Sequence, residues 1–374
     1  MKIDTFLVEQ FMDTYELKVE LNIAETCVDP FTLEEFLKLM EQEDFFEDFK
    51  RKKLTYGHIN GSPKLREGIA KLYKHLTAEN ILITGGAIGA NFLTFYSFIE
   101  PGDTVISFFP AYQQLYSTAR SFGANVKLLK LKWEDQWQPD LEELSSLIDN
   151  KTKMIVMNNP HNPTGSLVDN NTIKKICKIA EDCGAYLLYD EAYRGLYINE
   201  NDNVTSATDI YDKAISIGSF SKGLSLTGLR LGWIAANEKI IEECVRHRQY
   251  TTISNGIIDD ALGALAMQNV DKIYKRNLEI IRTNFKILSE WIENEPLIDW
   301  IPVRAGSVAF LKYHLDVPSE EFCLKLIKEK STFLVPGSCF EMEGYLRIGY
   351  GNKIEVLKKG LFRLKDFLHI IDTK

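Results

Sequence analysis

The sequence lacks the cysteine patterns that mark disulfide frameworks and metal sites. Its six cysteines are scattered, with no C-x-x-C pair and no metal-ligand spacing relative to the six histidines. Cysteines used in this way are typical of a reducing compartment, where they act as small buried hydrophobic side chains. The residues from Met1 to Gln10 mix charges among apolar side chains and predict no signal peptide. We therefore expect a cytoplasmic protein with no metal site.

Long hydrophobic runs and net positive charge are also missing. No apolar run approaches the length needed to cross a bilayer, which predicts no membrane partner. The formal net charge is -9 at pH 7, whereas a nucleic-acid surface needs a net basic face. We interpret the short basic cluster from Arg246 to Arg248 as a solvated helix face, and we expect no nucleic-acid partner.

No repeat or Pro/Gly-rich linker divides the 374 residues, and a chain of this length favours two domains. Between Ile81 and Ala236 short apolar runs alternate with longer amphipathic ones. The strand-like runs are Ile81–Ile83, Thr104–Ser107, Val126–Leu129, Met154–Met157, Tyr186–Tyr189 and Ile215–Ile217. This alternation predicts an α/β fold with a mostly parallel central sheet flanked by helices. We expect a large domain over residues 46–280 and a smaller α+β domain formed by 1–45 and 281–374.

Two segments in the large domain offer an anion-binding turn and a reactive amine, one in each segment. Gly85 to Ala87 lies between a predicted strand and an apolar helix, where backbone N–H groups and the helix dipole favour an anion. Ser219 to Lys222 ends another predicted strand, and partial desolvation there would lower the pKa of Lys222 and free its amine for a Schiff base. Arg230, bracketed by Gly228 and Gly232, can supply a bidentate anion contact.

Two further motifs follow predicted strands. Asn158 to Gly165 contains two X-Pro steps, which predict an extended, rigid loop that fixes the direction of the Asn162 amide. Tyr189 to Tyr193 places Asp190 where a buried strand ends, the edge at which open α/β sheets bind ligands. Taken alone, each motif also fits a plain connector or a helix cap.

In this order the four motifs resemble the class I and II aminotransferases, a family of fold type I enzymes that use pyridoxal phosphate. The resemblance runs from Tyr56 to Arg347, and its lysine and Asn-Pro motifs are the most specific. It implies the fold type I architecture and a transferase of amino acid metabolism. Such an enzyme moves an amino group between an L-amino acid and a 2-oxo acid by a ping-pong mechanism. It also implies a homodimer with shared active sites.

The resemblance assigns a role to each site residue. Lys222 would carry the cofactor as an internal aldimine and act as general base, and Asp190 would pair with the pyridine nitrogen. Asn162 and Tyr193 would hydrogen-bond the phenolate oxygen of the ring, and Tyr193 joins Lys222 and Asp190 in the catalytic set. The other implied cofactor contacts are Tyr112 on the ring face, Gly86, Ala87, Ser219, Ser221 and Arg230 at the phosphate, and Tyr56 at the phosphate of the neighbouring subunit.

Substrate contacts are implied for Arg347, Asn162 and Ala24. An arginine inside an apolar strand-like run needs a buried anionic partner, so Arg347 would bind the α-carboxylate as a fork-to-fork pair, with a structural salt bridge as the alternative. Ala24 lies where family members often carry a glycine, and its side chain would narrow the pocket. No second arginine can be assigned to an acidic side chain, which disfavours aspartate or glutamate as the primary donor.

Other functions stay open at this point. A looser likeness to capreomycidine synthase-type members rests on Phe6 to Tyr15, His161, Arg246 to Tyr250 and Val303 to Gly306. The alternative reading is therefore an elimination or replacement enzyme that uses the same cofactor, such as a carbon–sulfur lyase or a capreomycidine synthase-like enzyme. A non-catalytic, cofactor-sensing module of a transcription regulator is disfavoured, because few residues precede Tyr56 and the net charge is negative.

Overall fold

The computed structural model describes residues 2–372, the side chains of Asp48 and Asp372 excepted. Within that range the helices are α1 Leu7–Tyr15, α2 Leu33–Leu39, α3 Phe45–Phe49, α4 Pro63–Ala70, α5 Gly86–Phe98, α6 Gln114–Ser121, α7 Leu141–Leu147, α8 Asn170–Cys183, α9 Glu238–Arg248, α10 Ile257–Gln268, α11 Val270–Glu293, α12 Ser319–Lys330 and α13 Ile354–Asp372. The strands are β1 Leu21–Asn22, β2 Ile81–Thr84, β3 Thr104–Phe109, β4 Asn125–Lys130, β5 Thr152–Asn158, β6 Tyr186–Asp190, β7 Ala214–Ser219, β8 Gly232–Ala235, β9 Ile298–Trp300, β10 Val308–Tyr313, β11 Thr332–Phe333, β12 Val335–Pro336 and β13 Tyr345–Gly349. No described helix is long and apolar enough to cross a membrane.

A seven-stranded sheet forms the centre of the fold, in the order β2-β8-β7-β6-β5-β3-β4. Only β8 runs against its neighbours, since it pairs antiparallel with both β2 and β7. The other neighbouring strands pair in parallel. The carboxyl ends of β5, β6 and β7 therefore meet at one edge, with Asn158 opposite Asp190 in the register. This edge is where an open α/β sheet binds its ligand.

The apolar residues of the sheet alternate between two buried clusters, as the two-residue period of a strand requires. Val156 and Leu188 pack on one face with α5 and α9, whereas Ile155 and Leu187 pack on the other with α8. The sequence sets the ends of α8 through two residues: the Asp169 side chain accepts from the Thr172 N–H, and Gly184 ends the helix in the left-handed region.

A second sheet of four antiparallel strands, β12-β13-β10-β9, packs beside the first. β1 near the N-terminus pairs with β11, which brings residues 21–22 next to this sheet. Phe36 and Met40 of the α2 segment pack instead with Leu65 and Trp233 of the large sheet and its helices. The division into 46–280 and 1–45 with 281–374 stays a prediction.

Candidate active site

A cavity of about 270 Å³ opens at the carboxyl ends of β5, β6 and β7. It lies between the large sheet, the N-terminal helix α1 and Arg347 of β13. Ten predicted site residues line it: Ala87, Tyr112, Asn162, Asp190, Tyr193, Ser219, Ser221, Lys222, Arg230 and Arg347. Four separate motifs thus meet at one place because parallel strands present their carboxyl ends at the same edge.

Lys222 reaches the cavity just beyond the end of β7. Its Nζ donates to Thr26 Oγ1 at 2.5 Å and lies 3.4 Å from Cys27 Sγ, so its contacts come from the N-terminal segment. Burial lowers the pKa of Lys222, but Cys27, Tyr193 and Glu25 raise it, and the net shift is upward. The expectation of a lowered pKa for the free amine is therefore wrong, since the sequence motif does not show the acidic groups that fold against the lysine.

Asp190 ends β6 and is held from three sides. Its Oδ2 accepts from Asn91 Nδ2 at 2.9 Å, and its Oδ1 accepts from the Ala192 N–H at 3.0 Å and from Asn158 Nδ2 at 3.4 Å. Burial raises the pKa of Asp190, whereas the hydrogen bonds from Asn91 and Ala192 and the charge of Lys222 oppose that shift. A buried carboxylate fixed by neutral donors is suited to a cationic ring nitrogen.

Asn162 lies in a loop that turns back on itself. Gly165 N–H donates to His161 O at 2.8 Å, and His161 N–H donates to Ser166 O at 3.0 Å. The expectation of an extended loop is therefore wrong, because these bonds close a turn. The loop is nevertheless rigid: His161 is buried between Thr164 Oγ1 and Pro110 O, and Asn162 N–H donates to Asn158 Oδ1 at 2.6 Å. The Asn162 side chain thereby stays at the cavity wall.

The first turn of α5 and Arg230 form an anion-binding corner. Gly86 has φ +77°, and a Cβ built on it would lie 3.1 Å from Arg230 Nη2. A Cβ at Gly232 would lie 2.4 Å from the Ala87 N atom, so glycine is needed there for the helix to approach β8. Backbone N–H groups, the Ser219 and Ser221 hydroxyls and a guanidinium suit a phosphate dianion.

Arg347 is 1% exposed and has no carboxylate partner among the described residues. Its Nε makes no hydrogen bond, and its remaining contacts are long: Asn162 Oδ1 at 3.4 Å, Ala24 O at 3.4 Å and Met12 Sδ at 3.7 Å. Burial lowers the pKa of Arg347. A buried guanidinium without an anion favours a ligand carboxylate at this position over a structural salt bridge.

Three predicted residues do not line the cavity. Gly86 lies next to the Arg230 guanidinium, and the Ala24 carbonyl accepts a hydrogen bond from Arg347. Tyr56 is 83% exposed and borders a separate groove on the surface.

The sequence motifs missed part of the cavity wall. Glu9 and Met12 of α1 line it, and Tyr112 Oη donates to Glu9 Oε1 at 2.6 Å. Glu25 and Asn91 also line it. Asn91 could have been found as an amide inside the mostly apolar helix α5, whereas no motif of the sequence marks Glu9 or Glu25 as part of the cavity wall.

Pyridoxal phosphate fits these residues on three observations. The amine of Lys222 faces the cavity, Asp190 is a buried carboxylate with no cation bonded to it, and the α5 corner has room for an anion because residues 86 and 232 are glycine. Asn91 Oδ1 and Arg347 Nε are buried polar atoms of the same wall that lack a partner. Such atoms in a native cavity indicate a ligand that satisfies them.

In comparison with known proteins, residues 18–364 of this chain match the family model described as aminotransferase class I and II. An aspartate aminotransferase of Thermotoga maritima is 30% identical, over 84% of this chain and 84% of that protein. A capreomycidine synthase of Streptomyces vinaceus is 28% identical, over 82% of this chain and 79% of that protein. A solved aminotransferase from Streptococcus suis, described as PLP-dependent, is 42% identical and superposes with a TM-score of 0.97 over 100% of both chains.

Proposed function

The chain belongs to the class I and II aminotransferase family. On that premise we propose that it transfers the amino group of an L-amino acid to a 2-oxo acid and that pyridoxal phosphate bound to Lys222 carries the amino group between them. One observation carries the assignment of residues: Lys222 and Arg347 face the same 270 Å³ cavity, and Arg347 Nε has no partner there. An amino acid has the carboxylate that Arg347 lacks and the amine that exchanges with Lys222.

Each residue of the cavity then has a task toward the cofactor. Bound pyridoxal phosphate supplies an electron sink for the bonds at the substrate α-carbon. Lys222 would hold it covalently through Nζ, and Asp190 would keep its ring nitrogen protonated. The other contacts would be Asn162 and Tyr193 at the phenolate oxygen, Tyr112 on the ring face, and Ala87, Gly86, Ser219, Ser221 and Arg230 at the phosphate.

Proton transfer falls to Lys222. Its Nζ atom would act as general base, which removes the substrate α-proton and returns a proton afterwards. Thr26 Oγ1, at 2.5 Å, fixes where this amine points. Arg347 and Asn162 would hold the α-carboxylate, so that the Cα–H bond is presented to Nζ.

We also propose a homodimer, because the groove that includes Tyr56 is unfilled in the single chain. The groove measures about 1080 Å³ and is lined by residues of 42–64 and 257–268. Leu54 and Tyr56, both in the 42–64 segment, are 80% and 83% exposed. Apolar side chains left in water at this level favour a partner surface. Tyr56 would reach the phosphate in the neighbouring copy. A cytoplasmic location is proposed because the six cysteines are free.

The visible spectrum of the purified enzyme tests the reaction. Single amino acids are added without an oxo acid, and we expect the absorption band of lysine-bound cofactor to bleach and to return when a 2-oxo acid is added. A Lys222→Ala variant should lose more than about 10³-fold in rate because one residue is both anchor and base, whereas Lys174→Ala on the exposed face of α8 should not change it. A band that persists while ammonia and an oxo acid accumulate would contradict transamination and indicate elimination.

A further inference from the structure

The active-site cavity is lined by equal numbers of cationic and acidic side chains, but the cofactor and the substrate do not engage all of them. Three cationic and three acidic side chains line it among the described residues: Lys222, Arg230, Arg347, Glu9, Glu25 and Asp190. Under the proposed function, Lys222 and Asp190 are engaged by the cofactor and Arg230 by its phosphate. Arg347 takes the α-carboxylate of the substrate. Glu9 and Glu25 are left without an assigned partner.

Both carboxylates accept hydrogen bonds from neutral donors. Glu25 Oε1 accepts from the Thr26 N–H at 2.8 Å and from the Cys27 N–H at 3.0 Å. Burial raises the pKa of Glu25. The charge of Lys222 and these backbone bonds lower it by more than burial raises it, so the net shift is downward. Glu9 Oε1 accepts from Tyr112 Oη at 2.6 Å. Among the described residues neither glutamate forms a salt bridge.

The two glutamates lie close to the atoms that hold an amino acid. Their negative charges act on the Arg347 guanidinium, where they and Tyr193 oppose the effect of burial, which lowers its pKa. The α1 side of the cavity is therefore a region of negative potential.

A second observation shows that a ligand belongs between these groups. Arg347 is 1% exposed, and its Nε has no hydrogen-bond partner. A buried guanidinium in this state is completed by an anion, and the α-carboxylate of a substrate supplies it. With that carboxylate bound, an acidic substrate side chain would face two further carboxylates, and every cationic residue of the described cavity wall already has another role. A neutral side chain would leave both glutamates unpaired.

We propose that Glu9 and Glu25 select amino acids whose side chain ends in a cation, an ammonium or a guanidinium group. This inference rests on the proposed function and narrows its substrate class. Like-charge repulsion against acidic substrates contributes to the selection as much as attraction of basic ones.

Matched amino acids test the selection on the holoenzyme. L-Arginine is compared with L-citrulline, and L-lysine with L-norleucine, because each pair has nearly the same shape and differs in charge; L-glutamate is the acidic probe. We expect kcat/KM of the amino-donor half-reaction to favour the cationic member by about tenfold or more. Binding is measured separately by calorimetry with 2-methylornithine and 2-methylnorvaline, which have no α-proton to lose, and we expect the same preference in Kd.

Charge-removing variants assign the effect to residues. Glu9→Gln with Glu25→Gln keeps an amide oxygen to accept the bonds from Tyr112, Thr26 and Cys27, and we expect it to reduce the cationic preference to about onefold. Asp13→Asn is the matched control, since it removes a charge from α1 outside the cavity wall and should keep the preference.

The outcomes separate this inference from the proposed function. If citrulline, norleucine or glutamate reacts as well as the cationic amino acids, the selection is wrong while transamination stands. If the preference survives in the double variant, or falls equally in Asp13→Asn, its assignment to Glu9 and Glu25 is wrong. If no amino acid bleaches the band, the proposed function fails, and the calorimetric comparison still decides whether the glutamates select a cation.

Discussion

At the scale of single residues, burial decides which ionisable groups carry charge. His161 shows this most directly, because it lies in the loop that positions Asn162 and makes two hydrogen bonds without an acidic partner. Burial lowers its pKa to about 4, and the bond to Pro110 O only partly opposes that shift. The folded protein therefore keeps His161 neutral at a pH where an unfolded chain would protonate it.

We expect stability to fall through His161 as the pH drops. The folded pKa lies below the unfolded value, so the contribution is complete above about pH 6.5 and is lost as the pH falls toward 4. Between pH 7 and pH 5 the free energy of unfolding should decrease by about 2 kcal/mol through this residue. Chemical denaturation of the wild type and of His161→Gln at both pH values measures the difference.

The variant should show a smaller decrease than the wild type, while His75→Gln, a change at an exposed histidine, should follow the wild type. Equal pH dependence in all three proteins would mean that the fold does not lower the pKa of His161.

Residue-level prediction from the sequence succeeded where a side chain belongs to a motif at a strand end. Lys222, Asp190 and Asn162 are of this kind, and the structure places all three in one cavity. Their roles toward the cofactor stay predictions. Glu9 and Glu25 were missed because the N-terminal segment reaches this cavity through contacts across about 200 residues of chain, such as the bond from Lys222 to Thr26.

At the scale of elements, the central sheet was predictable from apolar runs. All six predicted runs lie within strands, and the expected fold type I architecture is confirmed by whole-chain similarity to solved aminotransferases. The seventh strand, β8, was missed because it begins at Gly232, a residue type that is uncommon in strands. Its antiparallel direction was not visible either, since direction depends on how the chain returns from β7.

The position of helix α1 depends on one glutamine side chain. Gln113, which precedes α6, accepts from the Leu7 N–H at 2.8 Å and donates to Thr5 O at 2.7 Å, so it fixes the chain where α1 begins. Because α1 forms one wall of the cavity, we expect Gln113→Leu to raise KM for the donor while the cofactor stays bound. Losing both bonds should cost about 1–3 kcal/mol of local stability, which corresponds to roughly 5- to 150-fold faster proteolysis of residues 2–15.

Limited proteolysis followed by mass spectrometry checks the effect on α1. Gln10→Ala is the matched control, since this side chain is exposed on the same helix. Val8 and Phe11 of α1 are buried in the cluster that includes the four-stranded sheet. An unchanged cutting rate in Gln113→Leu would show that these two residues hold α1 in place without the glutamine.

At the scale of the whole molecule, the site joins both ends of the chain. Glu9 of α1 and Arg347 of β13 line one cavity with Lys222 from the large sheet. No local pattern predicts such a meeting, because it depends on the pairing of β1 with β11 and on the packing of α1 against the small sheet. Of the three predicted residues that do not line the cavity, Tyr56 is the one that borders a different groove, and it is 83% exposed.

A complementation experiment decides whether Tyr56 acts in the neighbouring copy. Lys222→Ala and Tyr56→Ala are each prepared as weakly active proteins, then mixed in equal amounts and allowed to exchange subunits. In a dimer with shared sites, half of the molecules are hybrids, and each hybrid has one site with native Lys222 and native Tyr56. We expect activity to rise to about a quarter of the wild-type value. If Tyr56 serves its own subunit, or if the chain is monomeric, no site regains both residues and the mixture stays at the sum of its two components.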